Sequence, residues 1–388
     1  MIKHLREGES ALVGQLVLLS VLALAGLALA CTAPQGGAAR EGRDAAPAYE
    51  VDPFWPEPLP NDWLIGQVGG IAVDARDHVW VLQRPGSLTT DEAGAAQEPP
   101  LSACCHPAPP VLELDADGNL IQAWGGQGAG YDWPQTEHGI FIDHEENVWL
   151  AGSGPDDHQV LKFRRDGTFL LQIGRAGQTG GSNHEEFLGS PADIAVDPEA
   201  NEVYVADGYG NRRIIVFDAE TGAYRRHWGA YGNRPDDADL GPFDPDAPAA
   251  QQFRRPVHAV RIAADGLVYV ADRVNDRIQV FRRDGTFVKE VVIAGRTRFI
   301  GSVWDIDFSP GAGQPVLFAT DGTNQHVWML RREDLRTLGS FGRSGRSAGQ
   351  FHWVHHLAVD SKGNIYTGEV DTGRRTQKFV PRAPSPER

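Results

Sequence analysis

"DGLVYVADRVNDRIQVFRRDG", residues 265–285, holds a strand, a short loop, a second strand and a turn. Its apolar runs are short, rich in β-branched and aromatic residues, and bounded by "DG" at both ends. Strands joined by tight turns read this way. One such unit fits many folds. Its recurrence along the chain narrows the choice to one.

A strand of the "VWV" or "VYV" type occurs at 79–81, 148–150, 203–205, 268–270, 317–319 and 365–367. Before each, except the fifth, stands an "IAVD"-like strand with its turn, as in "IFIDHEEN" and "LAVDSKGN". A third strand follows each, as in "QVLKFRRDG" and "RIIVFDAETG", and a fourth often ends in an aromatic and glycine, as in "LIQAWGG". Four short antiparallel strands repeated six times predict an all-β, six-bladed β-propeller. The last repeat stops after its third strand at "TQKFVPRAP", and "DWLIGQ" (62–67) is a spare strand at the opposite end. An N-terminal strand is therefore expected to close the ring and remove its open edges.

The 388 residues carry a formal charge of −16, with 45 Gly, 26 Pro and 2 Met. The basic residues are dispersed, which argues against nucleic acid as a partner. Abundant turn residues suit many short strands better than a helical bundle. Ahead of the repeats, Lys3 and Arg6 precede an apolar run at 11–30 that ends "LALAC" at Cys31. Residues 1–31 read as a lipoprotein-type signal or anchor, with an uncleaved membrane span as the alternative. Residues 32–50 read as a flexible tether, 51–383 as the propeller and 384–388 as a C-terminal tail. The expected protein is exported, held to a membrane through a lipid anchor on the periplasmic or extracellular face, and monomeric. Cys104 and Cys105 are adjacent in "SACCHPAPP". They could form a vicinal disulfide, or hold a soft metal with His106.

The units resemble NHL repeats, carried by "DGLVYVADRVNDRIQVFRRDG" and "DSKGNIYTGEV" (360–370). That resemblance implies the propeller and leaves function open, because such folds serve as enzymes and as binding platforms.

His138, His258 and His355 each lie eleven positions before the aromatic of the second strand in repeats two, four and six. The odd repeats put Gly69, Ala192 and, by a looser alignment, Trp304 at the equivalent place. The first strand of each blade lines the central channel, so alternate blades are related by a three-fold axis. Three imidazoles so placed converge on one point. Neutral imidazoles with an open fourth position are the layout of a catalytic zinc site, although ligand type alone also admits other transition metals. His356 is the competitor if the strand slips by one. At the ends of second strands stand Arg84 in "VLQRPG", Tyr209 in "VADGYGNRR" and Arg273 in "VADRVNDR". Positive charge beside a tyrosine favours its phenolate and makes it a usable base. Arginines also grip a carboxylate. A structural role for these loop residues, as in other "D..N.R" elements, is the competing reading.

These residues together resemble peptidyl-α-hydroxyglycine α-amidating lyase, a six-bladed propeller with a three-histidine zinc. "EHG" (137–139), "VHA" (257–259), "VHH" (354–356), "DGYGNRR" (207–213) and "ADRVNDRIQVF" (271–281) carry the likeness. It implies metal-assisted N-dealkylation of an N-acyl α-hydroxyglycine to an amide and glyoxylate. Tyr209 would take the hydroxyl proton, His138, His258 and His355 would hold the metal, and Arg84 and Arg273 would hold the carboxylate. The substrate is then a small molecule or peptide bearing a carboxylate. The chain departs from the family in several places. Gly210 and Tyr269 stand near family cysteine positions, and Trp353 replaces a methionine. The acidic residue that helps bind a structural calcium is His356 here, which argues against calcium. A non-catalytic, lipid-anchored binding propeller is the alternative function.

Overall fold

The computed structural model describes residues 46–382. The signal or anchor segment 1–31, the tether up to residue 45 and the tail 384–388 lie outside them. The described chain forms six four-stranded antiparallel sheets arranged as propeller blades, plus one two-stranded sheet. The inner strands are Gln67–Val73, Glu137–Ile142, Asp193–Asp197, Val257–Ile262, Asp305–Phe308 and Val354–Val359 for blades 1 to 6.

The repeat motif has a mechanical explanation. In "DARDHVW" the carboxylate of Asp74 accepts from the backbone N–H groups of Arg76 and His78, closing the turn. Its other oxygen accepts from Trp80 Nε1 at 3.1 Å. Asp143 does the same for Glu145, Asn147 and Trp149, and Asp360 for Lys362, Asn364 and Tyr366. One aspartate thus sets the turn and satisfies the polar end of a fully buried aromatic, as buried Trp and Tyr require. Those aromatics enter the packing between blades. Each of the six hydrophobic clusters joins neighbouring blades, such as Tyr269 and Ile278 with Leu317 and Ala319, or Val79 and Leu112 with Tyr366. The core is a ring of interfaces around the channel.

Ring closure differs in detail from the sequence reading. Blade 6 takes its fourth strand from Tyr49–Asp52, which pairs antiparallel with Thr376–Pro381. The closing strand is N-terminal, but it is "YEVD", which straddles the boundary drawn at residue 50 between tether and propeller. In "DWLIGQ", Trp63–Leu64 pairs in parallel with His106–Pro107 instead. Gln67 already belongs to the inner strand of blade 1. Four alternating residues suffice for closure because Val51 and Tyr49 pack against the apolar faces of blades 5 and 6. Beside the two-stranded sheet, Cys104 and Cys105 are bonded to each other.

A three-histidine candidate metal centre

The inner strands do not run straight into the site. Pairing between first and second strands is interrupted at Val68/Gly70, Glu137/Ile140, Val257/Ala259 and Val354/His356. Gly69, His138, His258 and His355 lie in those interruptions. A β-bulge of this kind re-aims the extra residue and often borders an active site. Here it turns the three imidazoles into the channel. It also explains His356: a bulge lets two consecutive residues leave the strict alternation, so His355 joins the triad while His356 sits next to it, ring centroids 4.6 Å apart.

The triad is nearly equilateral. Ring centroids are 4.8 Å apart for His138 and His258, 4.7 Å for His138 and His355, and 4.9 Å for His258 and His355. All three are buried, and one ring nitrogen of each lies within 4.8 Å of the others. The opposite nitrogens are held by the odd blades. His138 Nδ1 meets the carbonyl of Ala192 at 2.7 Å, His355 Nδ1 that of Gly69 at 3.0 Å, and His258 Nδ1 that of Trp304. The register positions of the odd repeats are the outer support of the three histidines. A carbonyl acceptor makes each Nδ1 the protonated nitrogen and leaves each Nε2 lone pair facing the axis, as a metal ligand needs. The residues present therefore fit a transition metal with three nitrogen donors. A second cluster, Asp74, His78 and Glu113, already contains a cation: Arg165 binds both carboxylates.

Burial is the main reason all three histidines stay neutral well below their usual range, with added repulsion from His356 and Arg84 at His138, Arg273 at His258, and His356 at His355. The sign matters for metal binding. A depressed pKa leaves the imidazole unprotonated at pH 6, so protons do not compete. Three ordinary histidines near 6.5 would lose about 50-fold in apparent metal affinity between pH 7.5 and 6.0. Here the expected change is less than about threefold, measured by competition with a chelator of known affinity at each pH. A 50-fold loss would show the triad to be solvated.

Tyr209 caps the triad. Its hydroxyl donates to His138 Nε2 at 2.9 Å and stands 3.2 Å from His258 Nε2. The loop that carries it is fixed by its neighbours: Asn211 Nδ2 and Arg213 Nε both donate to Asp207 Oδ2, at 2.7 and 2.8 Å. Gly208 lies so close to the next inner strand that an added Cβ would fall 1.9 Å from the Val257 carbonyl. In blade 4, Asn275 and Arg277 hold Asp272 in the same way. The aspartate, asparagine and second arginine of each "D..N.R" element are thus scaffold. Tyr209 and Arg273 are what that scaffold presents.

Arg273 is buried, donates through Nε to the Ile300 carbonyl at 2.8 Å and through Nη1 to the Tyr209 hydroxyl at 3.4 Å. Its guanidinium carbon lies 4.5 Å from the Trp304 ring centroid. Arg84 donates through Nε to the Glu137 carbonyl and through Nη1 to Gln67 Oε1, both at 2.7 Å. The three histidines, Tyr209 and Arg273 thus meet around one point, and Arg84 is bonded to the residue before His138. Each arginine has committed two of its three nitrogens, so each offers a ligand a single terminal nitrogen rather than a full fork.

Residues 188–217, which include Tyr209, match the NHL repeat. Peptidyl-glycine alpha-amidating monooxygenase B of Xenopus laevis is 29% identical over 346 residues, covering 86% of this chain and 35% of its own length. Peptidyl-alpha-hydroxyglycine alpha-amidating lyase 1 of Drosophila melanogaster is 27% identical over 361 residues, covering 86% of this chain and 60% of its own length. The chain is an NHL-type propeller resembling the amidating lyases. It spans about a third of the length of the monooxygenases it matches. NHL repeat-containing protein 3 of Mus musculus is also similar, 28% identical over 86% of this chain and 85% of its own length. The likeness thus extends to proteins whose names state a repeat and no reaction.

Proposed function

We propose that this propeller is a metal-dependent carbon–nitrogen lyase that cleaves an N-acyl α-hydroxyglycine, peptide or small molecule, to an amide and glyoxylate. The observation that carries this reading is the Tyr209 hydroxyl, within 3.2 Å of two Nε2 atoms of a buried triad and touched by Arg273. A metal serving only to brace the channel would need no tyrosine at its open side.

His138, His258 and His355 would hold the metal, zinc by donor type and number. When bound, it supplies Lewis acidity at the substrate hydroxyl. Tyr209 relays the proton, accepting the one on the substrate hydroxyl while the C–N bond breaks and the carbinol carbon becomes the aldehyde of glyoxylate. The departing amide nitrogen requires one proton, which Tyr209 then carries. Arg273 holds the Tyr209 hydroxyl in place through Nη1, and the free terminal nitrogens of Arg84 and Arg273 hold the carboxylate from two sides. Burial disfavours the charge on both guanidinium groups. An anionic substrate therefore gains more here than it would at a solvated arginine.

The direct test is release of glyoxylate from N-benzoyl-α-hydroxyglycine by the zinc-loaded protein. No release above the spontaneous rate, from this or a peptidyl substrate, would leave the non-catalytic binding propeller as the better reading. Arg84→Lys tests the carboxylate role. Lysine cannot keep the Glu137 and Gln67 bonds and also reach the ligand. KM is expected to rise about 10-fold or more, with kcat changing less. Export and lipid attachment at Cys31 belong to the same proposal, and intact mass of the membrane-extracted protein would test them.

A further inference from the structure

Next to the histidine triad, the channel holds a second group of polar side chains with no part in the proposed reaction. Arg261 stands three residues after His258 on the inner strand of blade 4 and is 8% exposed. Its Nη1 donates to Asp193 Oδ2 of blade 3 and, at 2.9 Å, to the Val260 carbonyl. Its Nη2 pairs with Asp305 Oδ1 of blade 5 at 3.3 Å. Asp193 also accepts from Val260 N–H, and Asp305 from Leu357 N–H of blade 6. One guanidinium therefore sits among the inner strands of blades 3 to 6.

The calcium implied by the amidating-lyase resemblance does not fit this arrangement. Calcium takes six to eight oxygens at about 2.3–2.6 Å. The residue after the third histidine offers imidazole nitrogens, and His356 Nδ1 and Nε2 are buried without a hydrogen-bond partner. Arg261 lines the same cavity, of about 190 Å³, as Ile71 and Ile140, so an ion there would face a fixed positive charge. One oxygen acceptor remains, since Asp193 Oδ1 is buried with no hydrogen-bond donor. We propose that Arg261 is the resident cation of this channel, tying neighbouring blades together where a divalent ion would otherwise be needed, so that the ring is independent of calcium. Burial raises the pKa of both Asp193 and Asp305. Nη1 and Nη2 each reach one of these carboxylates, so a single guanidinium bridges the pair.

The experiment uses the full mature chain with its histidine site loaded. Elemental analysis for calcium and transition metals is combined with thermal unfolding in millimolar calcium and in EGTA. The wild type is expected to carry no stoichiometric calcium and to show the same Tm in both. Arg261→Ala leaves two buried carboxylates uncompensated, and removing one partner of a buried pair is strongly destabilising. Its Tm is expected to fall by about 5–10 °C in EGTA and to recover by at least half in calcium, with transition-metal content unchanged. About one calcium per wild-type chain, or a wild-type Tm raised by calcium, would overturn the proposal. So would an Arg261→Ala protein with unchanged Tm, or a destabilised one that calcium does not rescue. If Arg261→Ala fails to fold, Arg261→Gln, which also removes the charge, takes its place, and the wild-type calcium measurement decides the question independently.

Discussion

Tyr209→Phe is expected to lower kcat by about 10²–10⁴-fold, the usual contribution of a positioned general base, while metal content stays at the wild-type level. The substitution removes only the hydroxyl. The ring keeps its edge contacts with His138 and His258, centroids 5.0 and 5.8 Å away, and its place 5.9 Å from the Arg273 guanidinium. Arg273 keeps its bond to Ile300 and its stacking on Trp304, so the loop has no reason to rearrange. The histidines lose a neighbour but keep the Nδ1 bonds that orient them. Glyoxylate release under saturating substrate, with zinc determined in the same samples, separates chemistry from metal loss. A kcat within tenfold of wild type would remove Tyr209 from the role of base. An equal fall in zinc and in kcat would make it a support for the metal site.

The fold was legible because the repeat carries its own mechanics. Asp74, Asp143 and Asp360 must stand six residues before their aromatics to close the turn and reach the ring nitrogen or hydroxyl, so spacing survives while other positions drift. The triad was legible for a related reason. Rotation about the channel converts equal sequence position into spatial convergence, and His138, His258 and His355 share that position. Two things escaped. The closing strand was misplaced because "YEVD" adjoins a Gly- and Ala-rich segment, whereas "DWLIGQ" looks more like a strand. The bulges left no local mark: nothing in "VHA" or "VHH" announces that the residue between Val257 and Ala259 is unpaired. Without the bulge, His356 could be read only as a rival of His355. Arg261 escaped for another reason. A lone arginine in an apolar strand gains meaning only when Asp193 and Asp305 are seen to face it from other blades.

His258→Ala and His356→Gln are expected to part company, and the contrast is the sharpest check on the metal site. Four-ligand zinc sites bind with about 10–16 kcal/mol, or roughly 3–4 kcal/mol per ligand, so losing His258 should weaken affinity by about 10²–10³-fold. The protein after dialysis would then hold little metal and release glyoxylate at a rate near background. His258→Ala also leaves the Trp304 carbonyl without the donor that His258 Nδ1 provided. Added imidazole can supply both the donor and the lone pair, so partial recovery of metal and activity is expected at millimolar concentration. His356 is equally buried and equally close to the triad in sequence, yet its ring faces Asp305, with Nδ1 3.4 Å from Oδ2, and burial pushes its pKa down to about 3. Glutamine keeps a polar group of similar reach there without removing a ligand. Full metal content in His356→Gln with loss in His258→Ala places the metal on the residues brought inward by the bulges. The reverse pattern would mean that blade 6 pairs one residue out of register and that His356 is the third ligand.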